Sequence, residues 1–165
     1  MQRRIFIAIN LPEAVKKELS SFQLKWPELP ARWTKKDNLH ITLEFLGYLS
    51  DSELLKVCQN AQELASKHKP FEVKLNKICY GPPGKPPRMV WAIGDKIKEL
   101  NITPHITLAR IRAWEWRKIE PEERPLAEED IDLSFEVNSL EVMESVLKRG
   151  GPSYTVLKSC PFKKN

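Results

Sequence analysis

Leu39-His40-Ile41-Thr42-Leu43-Glu44-Phe45 alternates without a break: Leu39, Ile41, Leu43 and Phe45 fall on one side, and His40, Thr42 and Glu44 on the other. A period of two is the mark of a half-buried strand, whose apolar face enters a core while its polar face looks out. The central four residues recur as His105-Ile106-Thr107-Leu108, and the two copies use two of the chain's three histidines. Each copy offers one imidazole and one hydroxyl on a single strand face.

The repetition extends outward. Arg4-Ile5-Phe6-Ile7-Ala8-Ile9 and Arg88-Met89-Val90-Trp91-Ala92-Ile93 are two similar buried-strand segments, and each leads towards one copy of the tetrapeptide, as in an internal duplication. The halves differ in their connections, since the path from Ile93 to His105 is far shorter than that from Ile9 to His40. A crossover between neighbouring parallel strands needs about a dozen residues or more. Lys96 to Asn101 leaves room for barely more than one helical turn, so either the second half is trimmed there or a segment is omitted.

Around these strands, Pro12 suits the first turn of a helix over Glu13 to Phe22, with Val15, Leu19 and Phe22 on one stripe. Arg32-Trp33-Thr34 reads as a short strand. Ser50 or Asp51 is expected to cap a second helix reaching about Lys67, with Leu54, Cys58, Ala61 and Ala65 inward. Phe71 to Cys79 returns to period two, and Gly81 to Pro87 is a loop by its prolines and glycines. Glu120 to Asp130 is read as an acidic connection, Phe135 to Leu147 as one long strand or two short ones, and Tyr154 to Cys160 as a final strand after the Gly150-Gly151-Pro152 turn.

The 165 residues fit one compact domain, or two small lobes sharing an interface. Lys and Arg number 27 against 22 Asp and Glu, a net charge of +5 that favours encounter with a polyanion, though the acids are interspersed among the bases. Three scattered cysteines, Cys58, Cys79 and Cys160, fit neither a disulfide framework nor a zinc site. No run reaches the roughly 18 apolar residues of a membrane span, and Met1-Gln2-Arg3-Arg4 enters a strand rather than a cleavable signal. A reducing, cytoplasmic setting follows as the expectation.

Two imidazoles that titrate near pH 6.5 can divide acid and base duties, one taking a proton as the other gives one, and phosphodiester cleavage requires both acts. If the duplicated strands lie side by side across a pseudo-twofold axis, His40 and His105 flank one phosphorus, with the Thr42 and Thr107 hydroxyls donating to its non-bridging oxygens. No metal is needed for this chemistry. Arg110 is a candidate phosphate clamp, but strict alternation puts it on the face opposite His105, so it requires a bulge, a strong twist or a strand end. Phe45, at the same offset in the first copy, is either core or a wall of the groove against a base. His68 lies in a polar run and is expected to be inert. Trp114, Trp116, Arg112 and Arg117 form either an aromatic-basic RNA cluster or a partly buried strand.

The motifs resemble the two-histidine phosphoesterases, specifically the RNA 2′,3′-cyclic phosphodiesterases also called 2′-5′ RNA ligases. The resemblance spans nearly the whole chain: the Arg4–Ile9 strand, Arg32-Trp33-Thr34, Asn38 through Gly47, Pro104 through Arg110, and Glu144-Ser145-Val146-Leu147 with Gly151 and Tyr154. It implies an α+β fold occupying residues 1–165 as a single bilobal domain, with two antiparallel sheets facing a central cleft, helices outside and a pseudo-twofold duplication. It implies His40 as proton donor, His105 as proton acceptor, and Thr42 and Thr107 as phosphate contacts, without cofactor or metal. The implied reaction is hydrolysis of RNA 2′,3′-cyclic phosphate ends to 2′-phosphomonoesters by a cytoplasmic monomer, with tRNA among the candidate substrates. Two alternatives stay open: a 2′-5′ ligase joining tRNA halves, and an RNA-end-binding module without chemistry. The helix that the family carries before the second motif has no counterpart here.

Overall fold

A computed structural model describes residues 1–84 and 86–164. Lys85, inside the predicted Gly81 to Pro87 loop, lies outside them. The order of elements is β1 (Arg3–Asn10), α1 (Glu13–Ser21), β2 (Ala31–Trp33), β3 (His40–Leu49), α2 (Asp51–Ser66), β4 (Phe71–Gly81), β5 (Met89–Gly94), β6 (His105–Ile111), α3 (Ala113–Lys118), β7 (Glu129–Val137), β8 (Ser139–Lys148) and β9 (Gly151–Pro161). The fold is α+β, with every strand ladder antiparallel.

The strands form a four-stranded sheet, β3-β1-β8-β9, and a five-stranded sheet, β2-β6-β5-β4-β7. The duplication read from the tetrapeptides extends to topology. In each sheet the motif strand (β3 or β6) pairs with its echo strand (β1 or β5), and two further strands lie beyond the echo strand. β2 is an addition to the second sheet. The motif strands therefore lie in different sheets rather than side by side in one.

Antiparallel pairing also removes the difficulty with the short connection before Pro104. β5 and β6 run in opposite directions, so no crossover is required. The chain reverses in a tight excursion closed by a bridge between Ile97 and Ile102, with Asn101 at φ 55° in the left-handed region that asparagine tolerates. Ile97 is buried and pins the excursion to the body.

α1 forms where the periodicity places it, with Val15 and Leu19 buried. Pro12 stands just ahead of it at the N-cap, one step earlier than a first-turn position. α2 is capped by Ser50, whose hydroxyl accepts from the Glu53 amide, and it buries Ala61 and Ala65 in the same apolar core as Leu140 and Cys160. That core takes residues from both sheets, including Ile5, Ile41, Ile78, Val90 and Ile106. A smaller cluster, Phe6, Ala8 and Met143 with Tyr154 against it, lies on the opposite face of β1.

Two expectations are corrected. Arg112 to Arg117 is neither strand nor joint RNA cluster: α3 buries Trp116 at 5% exposure and leaves Trp114 at 56% beneath the Lys118 ammonium. Six residues with tryptophans two apart satisfy either periodicity, and the Arg112–Glu115 ion pair, i to i+3, is the helical choice. The acidic segment is also only partly a connection, because β7 starts at Glu129, after a 3-10 turn at Pro121–Glu123.

Candidate active site

Both motif strands carry a β-bulge at the same place. Along β1, Ile7 pairs with Glu44 and Ala8 with Thr42, which leaves Leu43 without an opposite number. Along β5, Val90 pairs with Ala109 and Trp91 with Thr107, which leaves out Leu108. Leu43 and Leu108 are the fourth residues of their tetrapeptides. An extra residue shifts the alternation by one. Arg110, which strict alternation sends to the far side, thereby joins His105 and Thr107, while Ile106, Leu108 and Ala109 are all fully buried. The same step turns Phe45 out of the core to 63% exposure, against Phe6 at 5.6 Å. Thr34 supports the bulge in β6: its amide donates to the Leu108 carbonyl at 2.8 Å and its hydroxyl to the Thr107 carbonyl at 2.9 Å.

A cleft of about 610 Å³ separates the two sheets, and His40, Thr42, His105, Thr107 and Arg110 all line it. Phe45 lines it too, as a wall. Arg4, Arg32 and Lys35 add positive charge, against one carboxylate among the described lining residues, that of Glu44. Such a balance raises the local concentration of anions. His68 lies elsewhere, its ring 5.9 Å from that of Phe162.

His40 is held on every side. Its Nδ1 lies 2.7 Å from the Asn38 carbonyl oxygen, which can only accept, so Nδ1 carries a proton and donates. In the neutral ring Nε2 is then the acceptor, and it lies 2.8 Å from the Thr42 Oγ1, whose hydroxyl donates to it. In the neutral ring the Thr42 hydroxyl is thus engaged with the imidazole; once Nε2 is protonated it donates to Oγ1 and frees that hydroxyl to donate to an anion. Phe6 and Tyr154 flank the ring at 5.1 Å each, Tyr154 edge-on. Burial pushes the His40 pKa below the ordinary imidazole value; the Asn38 carbonyl opposes this by favouring the cation, and the charges of Lys16 and His105 push it down further.

His105 is held differently. Its ring stacks on the Trp91 indole at 4.2 Å with 27° between planes, and among the described residues its nitrogens have no hydrogen-bond partner. Burial lowers its pKa, with nothing to oppose it. Gly81 backs the indole from the other strand: a Cβ there would come within 2.2 Å of the Trp91 ring. The Thr107 hydroxyl has only a weak contact, 3.9 Å to the Met89 sulfur, and is available to a ligand.

Asn38, Trp91, Arg32 and Lys35 are parts of this site that the sequence patterns did not single out. Asn38 acts through its backbone oxygen, which no side-chain pattern reveals. Trp91 echoes Ile7 in the duplicated strand and reads as ordinary core. Among the described residues no three of His, Cys, Asp and Glu cluster as metal ligands would, and no helix is long and apolar enough to cross a membrane.

Two imidazoles lining one basic cleft between duplicated sheets define a two-histidine phosphoesterase. A family model described as LigT-like phosphoesterase matches residues 9–91. A protein of Methanocaldococcus jannaschii named RNA 2′,3′-cyclic phosphodiesterase is 30% identical over 175 residues, which cover 94% of this chain and 98% of that one. A crystal structure of a Thermus thermophilus protein superposes with a TM-score of 0.84 at 26% identity, over 98% of this chain and 99% of the other. E. coli LigT complexed with phosphate gives 0.71 at 25% identity, over 98% of each chain. The chain belongs to the LigT-like phosphoesterase family.

Proposed function

We propose that this chain is an RNA 2′,3′-cyclic phosphodiesterase that works as one bilobal domain over residues 1–165, using His40 as proton donor and His105 as proton acceptor and no metal. The observation that carries this reading is the convergence of two matched imidazoles on one basic cleft. The name of the M. jannaschii relative and the phosphate held by E. coli LigT support the substrate class.

The unequal surroundings of the two rings support the division of labour. His105, kept neutral by burial on its indole bed, takes a proton from water as the water oxygen attacks phosphorus. The bond from phosphorus to O3′ breaks, and His40 Nε2 gives its proton to that oxygen, leaving a 2′-phosphomonoester and a 3′-hydroxyl. His40 alone has a carbonyl that stabilises its cation, and the anionic substrate raises its pKa on arrival. Because Nδ1–H stays on Asn38, the mobile proton resides on Nε2. Thr107 and Arg110 contact the non-bridging oxygens, and Thr42 holds Nε2 in place until the leaving oxygen takes the proton.

RNA ends, with those of tRNA among them, are the proposed partners of a monomer. The free thiols of Cys58, Cys79 and Cys160 support a cytoplasmic setting. The test is incubation with RNA ending in a 2′,3′-cyclic phosphate in the presence of EDTA. A 2′-phosphate terminus is expected, with a loss of about 10²–10⁴-fold in His40→Gln and again in His105→Gln. An inactive wild type, or full activity in either variant, would defeat the assignment.

A further inference from the structure

Arg32 of β2 and Arg110 of β6 are directly opposite in an antiparallel ladder, and both line the cleft. Directly opposed residues on one sheet face have their Cβ atoms about 5 Å apart, and like charges in that relation destabilise the sheet. No carboxylate neutralises either guanidinium among the described residues. Arg110 rests on the Met89 sulfur at 3.5 Å, and the only acid among the described residues that line the cleft, Glu44, belongs to the opposite sheet.

The fold makes room for this costly pair. Arg32 reaches across to Gly151 at the start of β9, where a Cβ would come within 1.9 Å of its Nη2. Gly151 sits at φ 116°, a conformation closed to other residues. The same hairpin is fixed by Asn38, whose Nδ2 donates to the Pro152 carbonyl at 2.9 Å. An unneutralised guanidinium pair facing a cleft is suited to meet an anion.

The anion is not the reacting phosphate alone. Arg110 stands five positions beyond His105 on β6, one of them taken up by the bulge. At about 3.3 Å per residue this sets the backbone of the pair roughly 13 Å along β6 from that of His105. Arg110 can lean back towards the reacting centre, whereas Arg32, level with it on the edge strand, reaches across to Gly151 of the other sheet.

We propose that Arg32, beside Arg110, forms a second phosphate subsite that takes the internucleotide phosphodiester adjoining the cyclic end, so that the cleft selects an oligonucleotide terminus over a cyclic mononucleotide. This rests on the cyclic-phosphate reading above. The test compares kcat/KM for adenosine 2′,3′-cyclic phosphate and for an adenosine dinucleotide ending in the same group, with wild type, Arg32→Gln and Arg32→Lys. Wild type is expected to favour the dinucleotide by about tenfold or more, the factor that one charge-assisted contact supplies. Arg32→Gln reduces that ratio towards one, chiefly through KM, and Arg32→Lys recovers part of it. An unchanged ratio in Arg32→Gln, or an equal loss on both substrates, overturns the subsite while leaving the hydrolytic reading in place. If wild type turns over neither substrate, the hydrolytic reading fails instead. Calorimetric binding of unreactive adenosine mono- and dinucleotides with 3′-phosphate ends then decides the subsite: a dinucleotide advantage lost in Arg32→Gln supports it, and no advantage overturns it.

Discussion

His40 and His105 occupy the same position in two copies of one tetrapeptide, yet their surroundings differ in kind. One ring is tethered by hydrogen bonds at both nitrogens, to Asn38 and Thr42; the other is held by stacking on Trp91. The two residue types were legible because rare side chains recurred at a fixed offset. Their partners were not, because a backbone carbonyl and a diagonal neighbour on the next strand leave no periodic trace. The stack makes a prediction. An imidazolium lying on an indole face withdraws electron density from it, so acidification from pH 8 to pH 5 should quench part of the tryptophan emission. The midpoint should lie below about 6.5, because burial lowers the His105 pKa. The chain has five tryptophans, so the signal is the difference between wild type and His105→Gln. Identical titrations in the two proteins, or a midpoint above the ordinary value, would show that the stack does not govern the ring.

At the level of elements, the hydrophobic pattern located β1, β3, α1 and α2 well because each buries one face, and periodicity reports which face. It failed where local geometry breaks the period. The bulges at Leu43 and Leu108 decide that Phe45 and Arg110 face the cleft, and both leucines look like regular inward residues. A bulge is visible only against its partner strand, so a single strand's sequence does not carry it. α3 failed for a different reason, its brevity, and there a test is direct. Trp116 is buried edge-on against Tyr80 at 5.7 Å and under the Arg124 guanidinium, whereas Trp114 is covered only by Lys118. Trp116→Ala should cost about 3–5 kcal/mol of stability in urea unfolding, the range for an emptied aromatic site. Trp114→Ala should cost less than about 1 kcal/mol. Equal costs would mean that the segment does not present a helical face to the core.

For the whole molecule, the duplicated pairing of motif and echo strands, in β3-β1-β8-β9 and β6-β5-β4-β7, brings the two motif strands to facing sheets. That arrangement was only half legible. Repeated segments announce repeated structure, but strand direction is not written in apolar alternation, and reading neighbours as parallel made a short connection look deficient. Burying two imidazoles in one cleft also ties global stability to pH. Both rings have pKa values below the ordinary value, about 6.5 in the unfolded chain. Between the lowered folded value and 6.5 the unfolded chain binds more protons, so stability rises with pH there and falls on acidification. The thermal midpoint should therefore drop between pH 7 and pH 5, above the range where most carboxylates titrate. Replacing both His40 and His105 by Gln should shrink that drop. Inorganic phosphate should offset it in wild type, because an anion bound between the rings favours their charged forms and binds the folded state alone. A midpoint that climbs as the pH falls, or a drop of full size in the double variant, would mean that the empty cleft does not hold its two histidines neutral, the state in which His105 can take a proton.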